Sequence, residues 1–323
     1  MNNIAMMVVA LLALSGAAGA ASGTGEGWPA RPIRLMVPFA AGGSNDIVAR
    51  VVGQQLGERL GKPVVIDNRG GAGGAIATEI TVTSQPDGYT LLLLSVAHAY
   101  GSSLRKVPYD PIKSIAPIAL LGTGANALAV HPAVPTKSVK ELIALAKAKP
   151  GQLNYASAGI GSFTHLSAEL FRTLAGIDVV HVPFNGGGPT MVAMVSGQTQ
   201  FMFGALLQMM PYLQGGKLRA LGVGSAQRIA ALPDVPTIAE AGVPRYEANS
   251  WWGIAGPAAT PPAIIKLLNA ETSAILAAPD IRKWFTSQGA EAAAMSPPEF
   301  QKWVAAEIAK WSRVVKDAGL RAE

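Results

Sequence analysis

The chain has 323 residues, no cysteine, and 26 Lys and Arg against 20 Asp and Glu for a net charge of +6. A composition that is 50% hydrophobic and only 14% charged excludes a disordered chain, and the length suits two domains. Lack of cysteine excludes disulfide scaffolds, thiolate metal sites and thiol nucleophiles; the positive balance favours anionic partners.

Residues 1–25 carry no charged side chain, and residues 4–14 form an apolar run followed by small residues with an Ala18-Gly19-Ala20 triplet. Spanning a bilayer takes about 20 apolar residues, so the pattern predicts a cleaved secretory signal peptide over 1–20, with a buried or membrane helix as the alternative reading. No Lys or Arg precedes the apolar run, so the α-amino group supplies the only positive charge there. The mature protein is expected to be soluble and exported.

Residues 33–39 read as a buried strand that enters the turn Ala40-Ala41-Gly42-Gly43. Ser44 or Asn45 is placed to cap a helix whose apolar residues Ile47, Val48, Val51, Val52 and Leu56 recur at helical spacing. A strand over 64–66 runs into a glycine-rich stretch at 70–74, a helix follows as far as the turn Gln85-Pro86-Asp87-Gly88, and 89–95 is a third strand. Residues 115–121 are a strand, Gly122-Thr123-Gly124 punctuates it, and 127–130 resumes as another. Ser138 and Glu141 form a capping box that opens a helix stopped by Pro150-Gly151. A strand over 153–156 leads through Ser157-Ala158-Gly159-Ile160-Gly161-Ser162 to a helix with Leu166, Leu170 and Leu174 on one stripe, ending at Gly176. Strands follow over 179–184, 199–203 and 218–223, then an apolar segment at 249–256. A C-terminal helix opened by Ser296 and Glu299 presents Phe300, Val304, Ile308, Trp311 and Val315 on its core face. Strand, turn and helix alternate, which predicts an α/β fold of two lobes, each a doubly wound sheet flanked by helices. Crossings near 122–126 and 245–250 predict one lobe from 28–124 and 250–323 and a second from 125–249, with a ligand cleft between them.

Several chemistries fail on spacing. Ile76 stands where a dinucleotide fingerprint needs its third glycine, and Gly57 to Lys62 is one spacer short of a phosphate-binding loop. Tyr155 replaces the first glycine of a nucleophile elbow around Ser157. His98, His131, His165 and His181 are scattered without metal-ligand spacing. The basic residues are scattered and aromatics are only 6% of the chain, so the stripe of phosphate contacts and stacking platforms that nucleic acid requires is missing. No catalytic residue, metal, cofactor or nucleic-acid partner is predicted.

Two segments share one design. Phe39 through Asp46 and Ser157 through Thr164 each join a strand to a helix with small residues: Gly42, Gly43 and Ser44 in the first, Gly159, Gly161 and Ser162 in the second. The first N–H groups of a helix have no internal acceptor, and the macrodipole adds partial positive charge, so such a junction holds a carboxylate without a lysine. An ordinary helix cap has the same composition, but one such loop in each half points to a carboxylate cleft. Asp46 has two readings: a partner for Arg50 one turn on, or a selector for a ligand amine. His165 is either a donor at the second loop or a core residue, and Trp251-Trp252 either walls the cleft or packs a hinge.

Trp28-Pro29 with Arg31-Pro32-Ile33-Arg34, then Val37-Pro38-Phe39 with Gly42-Gly43 and Asp46, resembles the substrate-binding receptors of tripartite tricarboxylate transporters, the Bug-type family. Val65-Ile66-Asp67-Asn68-Arg69, Pro86-Asp87-Gly88-Tyr89, Pro108-Tyr109-Asp110-Pro111, Tyr155-Ala156-Ser157-Ala158-Gly159, His181-Val182-Pro183-Phe184 and Leu232-Pro233-Asp234-Val235-Pro236 continue the match over residues 28–320. The resemblance implies a monomeric periplasmic receptor of Venus-flytrap form that closes on a small organic acid and delivers it to a membrane permease. A periplasmic sensor feeding a signalling kinase is the alternative, and a hydrolase using Ser157 and His165 a third. The ligand positions it implies are Phe39, Gly42, Gly43, Ser44, Asp46, Ser157, Gly159, Gly161, Ser162 and His165. Gly204 stands where the family often has Asp, and Gly101-Ser102 where Asn-Pro is common, so the site for the ligand's distal end departs from the family's pattern.

Overall fold

The computed structural model describes residues 27–317 and 319; the segment read as a signal peptide lies outside them. β1 (Ile33–Val37) runs parallel between β2 (Val64–Asn68) and β3 (Thr90–Ser95). Ile33, Leu35, Met36 and Val37 are buried, as the unbroken apolar run requires of a strand covered on both faces. β4 (Ile115–Val130), β5 (Asn154–Ser157), β6 (Val180–Pro183), β7 (Phe201–Ala205) and β9 (Asn249–Pro257) complete the order β2-β1-β3-β9-β4-β7-β5-β6. β8 (Arg219–Val223) and β10 (Ala290–Ala292) both pair with β4 off that path. The α/β class is the expected one, but each half is a mixed sheet. Parallel trios β2-β1-β3 and β7-β5-β6 are joined through the antiparallel strands β9 and β4.

β4 carries the junction. It pairs with β9 from Ile115 to Ala125 and with β7 from Asn126 to Val130, so one 16-residue strand serves both halves. Gly122 and Gly124 were expected to break it and do not. The register shifts between Leu120 and Gly122 instead, and the glycines admit neighbours that a side chain would exclude. A Cβ on Gly124 would stand 2.6 Å from the Trp252 ring, and Gly122 abuts the β10 backbone at Glu291.

The helices are α1 (Ser44–Leu60), α2 (Ala75–Val82), α3 (Val96–Leu104), α4 (Val139–Ala148), α5 (Phe163–Ala175), α6 (Gly187–Val195), α7 (Leu206–Gln214), α8 (Pro262–Ala277), α9 (Pro279–Ser287) and α10 (Pro297–Asp317). The Ser138 half of the predicted capping box forms, with Ser138 Oγ accepting from the Glu141 amide at 3.2 Å, while Glu141 Oε2 accepts from the amide one residue before the cap, that of Lys137, at 2.7 Å. α5 ends at Gly176 in the left-handed conformation that glycine adopts without a Cβ penalty. α10 buries the five residues expected of its core face. Its Trp311 meets Tyr100 of α3 edge-on at 5.8 Å and Phe163 of α5 at 5.7 Å, which ties the C-terminus to both halves. Among the described residues no helix is long and apolar enough to cross a membrane.

Candidate functional site

β1, β3, β5 and β7 all deliver their C-terminal ends to one region, and the helices that follow begin there. A cavity of about 50 Å³ lies at this point, bordered by Gly43 and Ser44 at the start of α1, Ser95 and Val96 at α3, and Ser162 and Phe163 at α5. Gly187 at the start of α6, Ala205 and Gln208 at α7, and Ser250, Trp251 and Trp252 of β9 complete the wall. At 10–15 Å³ per water-sized group, the cavity takes about four such groups, which suits a carboxylate. Five helix N-termini converge on it, each with roughly half a positive charge from its aligned peptides. Among the described residues, no Asp, Glu, Lys, Arg or His borders it.

The amides at the two glycine loops can be accounted for one by one. Gly43 is the N-cap of α1 and makes no side-chain cap; its carbonyl accepts from the Ile47 amide at 3.0 Å. Ser44 is the first helical residue rather than the cap, and the Gly43, Ser44, Asn45 and Asp46 amides meet no protein acceptor among the described residues. In the second loop Ser162 caps α5, with its Oγ accepting from the His165 amide at 3.3 Å and its carbonyl from Leu166 at 3.0 Å. The Ala158 amide donates to Thr164 Oγ1 at 2.7 Å, Gly159 to Ser157 Oγ at 3.1 Å, and Gly161 to His165 Nδ1 at 3.3 Å. That leaves Phe163 and Thr164 as the α5 amides without a protein acceptor among the described residues. The Ala158, Gly159 and Gly161 amides are thus occupied within the loop, while those of Ile160, Phe163 and Thr164 meet no protein acceptor among the described residues.

Side-chain bonds lock these helix starts in place. Trp252 Nε1 donates to Asn45 Oδ1 at 3.0 Å, and Asn45 Nδ2 donates to Ser95 Oγ at 3.3 Å, which joins β9, α1 and α3. Gln208 Nε2 donates to the Gly187 carbonyl at 2.6 Å and joins α7 to α6.

Of the residues expected at the ligand, Phe39, Gly43, Ser44 and Ser162 border the cavity. Gly42 lies against Gly188, and its amide donates to Asp46 Oδ2 at 3.0 Å. The Asp46 carboxylate is buried and faces Arg50, whose Nε and Nη2 approach its two oxygens at 3.0 Å each. Burial raises its pKa, but the bonds from Arg50, Gly42 and Asn68 outweigh that and hold the carboxyl below its ordinary value. Of its two readings the structure realises the pairing with Arg50, with the added role of tethering Gly42. Ser157 Oγ lies 2.6 Å from Nε2 of His181, so its histidine partner is not His165. His165 stacks on His181 at 4.2 Å, and His181 on Tyr155 at 4.8 Å, beneath the second loop. Burial, followed by the neighbouring His165, lowers the His181 pKa to about 4 against the opposing pull of Glu169. Gly159 borders a neighbouring crevice, and neither Gly161 nor His165 borders the cavity.

Three helix starts escaped the sequence reading. α3 and α7 follow their strands directly, with apolar Val96 and Leu206 as first residues and no turn between. α6 begins at Gly187-Gly188-Pro189, which reads as loop by composition. A strand followed by Gly186-Gly187-Gly188 was nevertheless a readable signal of the same kind as Gly42-Gly43.

Residues 48–320 match the family model described as the tripartite tricarboxylate transporter family receptor. The chain is 36% identical to Protein BugT of Bordetella pertussis over 99% of both chains. Among solved structures it is similar to an R. palustris protein with adipate, at 37% identity and a TM-score of 0.87 over 90% of this chain and 98% of that one. It is also similar to MatC from Rhodopseudomonas palustris with bound malate, at 34% identity and a TM-score of 0.85 over 89% and 100%. The periplasmic binding protein BugD matches at 32% identity and a TM-score of 0.88 over 92% and 100%. With five helix starts around an uncharged cavity and these likenesses over nearly its whole length, the chain belongs to the tripartite tricarboxylate transporter family of receptors, of Bug type.

Proposed function

We propose that the protein is a periplasmic solute-binding receptor, exported through a signal peptide at 1–20, that captures a small carboxylate and hands it to the membrane permease of a tripartite transporter. The observation that carries this reading is the convergence of five helix N-termini on a cavity without a charged side chain. A neutral ligand gains little from such a site, whereas a carboxylate meets amides and dipoles already fixed in position. Residues 28–124 with 250–323 act as one lobe and 125–249 as the other, with β4 and β9 as the connection about which they open. The bound adipate and malate of the two R. palustris relatives support the ligand class. Thermal unfolding against a panel of mono-, di- and tricarboxylates, amino acids and neutral amides tests it. A carboxylate at 100 times its Kd adds about 2.7 kcal/mol of stability. A panel in which neutral amides stabilise and carboxylates do not contradicts the reading.

A further inference from the structure

Beside the uncharged cavity lies a crevice of about 590 Å³ that shares Phe39 and Ala158 with it. Its walls are mostly glycine-rich backbone, from 70–73 in one half and from 159–160 and 184–186 in the other. One charged side chain borders it: Arg105, which follows the end of α3. Arg105 has no ion pair with any described carboxylate, and among the described residues the one hydrogen bond of its side chain is a long 3.5 Å contact from Nη2 to the Ile160 carbonyl. The guanidinium rests on Gly161, where a Cβ would stand only 2.6 Å from Nη2, so the second loop is cut back to receive it. Gly161 is two residues before Phe163, whose amide meets no acceptor among the described residues, so at 3.8 Å per residue step the Cα atoms of Gly161 and Phe163 lie within about 7.6 Å of each other and the cation stands beside the start of α5.

We propose that Arg105 is the specificity-determining residue for the far end of the ligand and reads the second carboxylate of a straight-chain dicarboxylate of four to six carbons. The inference rests on the receptor function proposed above and extends it. The inner carboxylate lies among the helix N-termini, the methylene chain passes Phe39, and the outer carboxylate meets the guanidinium in the crevice. An Arg fork bonds a carboxylate through two parallel N–H groups, and a half-enclosed, glycine-lined crevice screens that pairing less than open solvent does. A cation is thus presented to ligand without a protein carboxylate to neutralise it. The rival role for Arg105 is a latch between the two halves through the Ile160 carbonyl, which would affect every ligand alike.

Calorimetry separates the two roles with matched probes: butanoate against succinate and hexanoate against adipate, on wild-type protein, Arg105→Met and Arg105→Lys. The expected result is that the dicarboxylate-to-monocarboxylate affinity ratio falls about tenfold in Arg105→Met and by less in Arg105→Lys, which keeps the charge but not the fork. A rise in ionic strength should lower the ratio in wild-type protein and leave it flat in Arg105→Met. If both affinities fall together and the ratio holds, Arg105 is a latch and the inference is overturned while the receptor function stands. Wild-type protein that binds neither series overturns both.

Discussion

Replacing Gly188 with alanine adds one methyl group at the seam between the two halves. The loop 40–43 and the start of α6 meet there glycine to glycine, and a Cβ on Gly188 would stand 2.6 Å from the Ala41 carbonyl oxygen and 3.7 Å from Gly42 Cα. The near atoms are backbone, so no rotamer change relieves the contact, and restoring about 3.4 Å requires the halves to part by roughly 0.8 Å. Overpacking of this kind costs about 1–3 kcal/mol, and the cost falls only on the state in which the halves meet. At 1.4 kcal/mol per tenfold, carboxylate affinity should drop about 5- to 150-fold. Gly188 stands in the first turn of α6, directly before Pro189, and the nearest atoms its Cβ would meet all belong to the loop 40–43, so ligand-free stability should change little. Calorimetry with a bound carboxylate and thermal unfolding without one measure the two quantities. Affinity within twofold of wild type, with ligand-free unfolding unchanged, would refute closure at this seam.

At Gly43 a Cβ meets Gly187 at an ordinary 3.5 Å, so Gly43→Ala should bind nearly as wild type while Gly43→Leu fills the cavity and loses more than about 100-fold in affinity; a Leu variant that binds normally would remove this loop from the site. Asp46 has a folded pKa below its ordinary 3.8, so its stabilisation is complete above that value and fades as pH falls through the folded pKa. Asp46→Asn should therefore unfold at lower temperature than wild type at pH 7, with the gap closing in acid; a gap of constant size from pH 7 to pH 2 would show that the Arg50 pairing does not stabilise the fold. His181, lowered to about 4 from an unfolded value of 6.5, binds fewer protons folded than unfolded between those limits. Stability should fall as pH drops from 6.5 to 4, and His181→Gln should flatten that slope in denaturant titrations; an unaltered slope would mean that His181 titrates normally in the fold.

The sequence was most informative where one residue type has one physical use. Glycine after a strand, Ser138 with Glu141, and the stripe from Phe300 to Val315 all led to the elements found. It was least informative where strand passes into helix without punctuation. Ser95-Val96 and Ala205-Leu206 carry no turn residue, because tertiary burial rather than local chemistry sets those boundaries. β4 shows the reverse error: Gly122 and Gly124 read as a break, yet they serve close packing against β10 and Trp252. Around the cavity, the two loops were legible as strand-to-helix junctions, but which amides remain free was not. That depends on Ser157, Thr164 and His165 folding back onto their own loop, a matter of distances that spacing alone does not give.

The measurement that bears most directly on the account is a crystal structure of the protein with a dicarboxylate such as adipate at saturating concentration. One carboxylate should lie 2.7–3.1 Å from the free amides at the starts of α1 and α5, the range of charge-assisted hydrogen bonds, with the loops 40–43 and 186–188 in contact. A carboxylate bound elsewhere, with those amides facing only water or protein, would contradict the claim that helix N-termini, and not a charged side chain, hold the ligand.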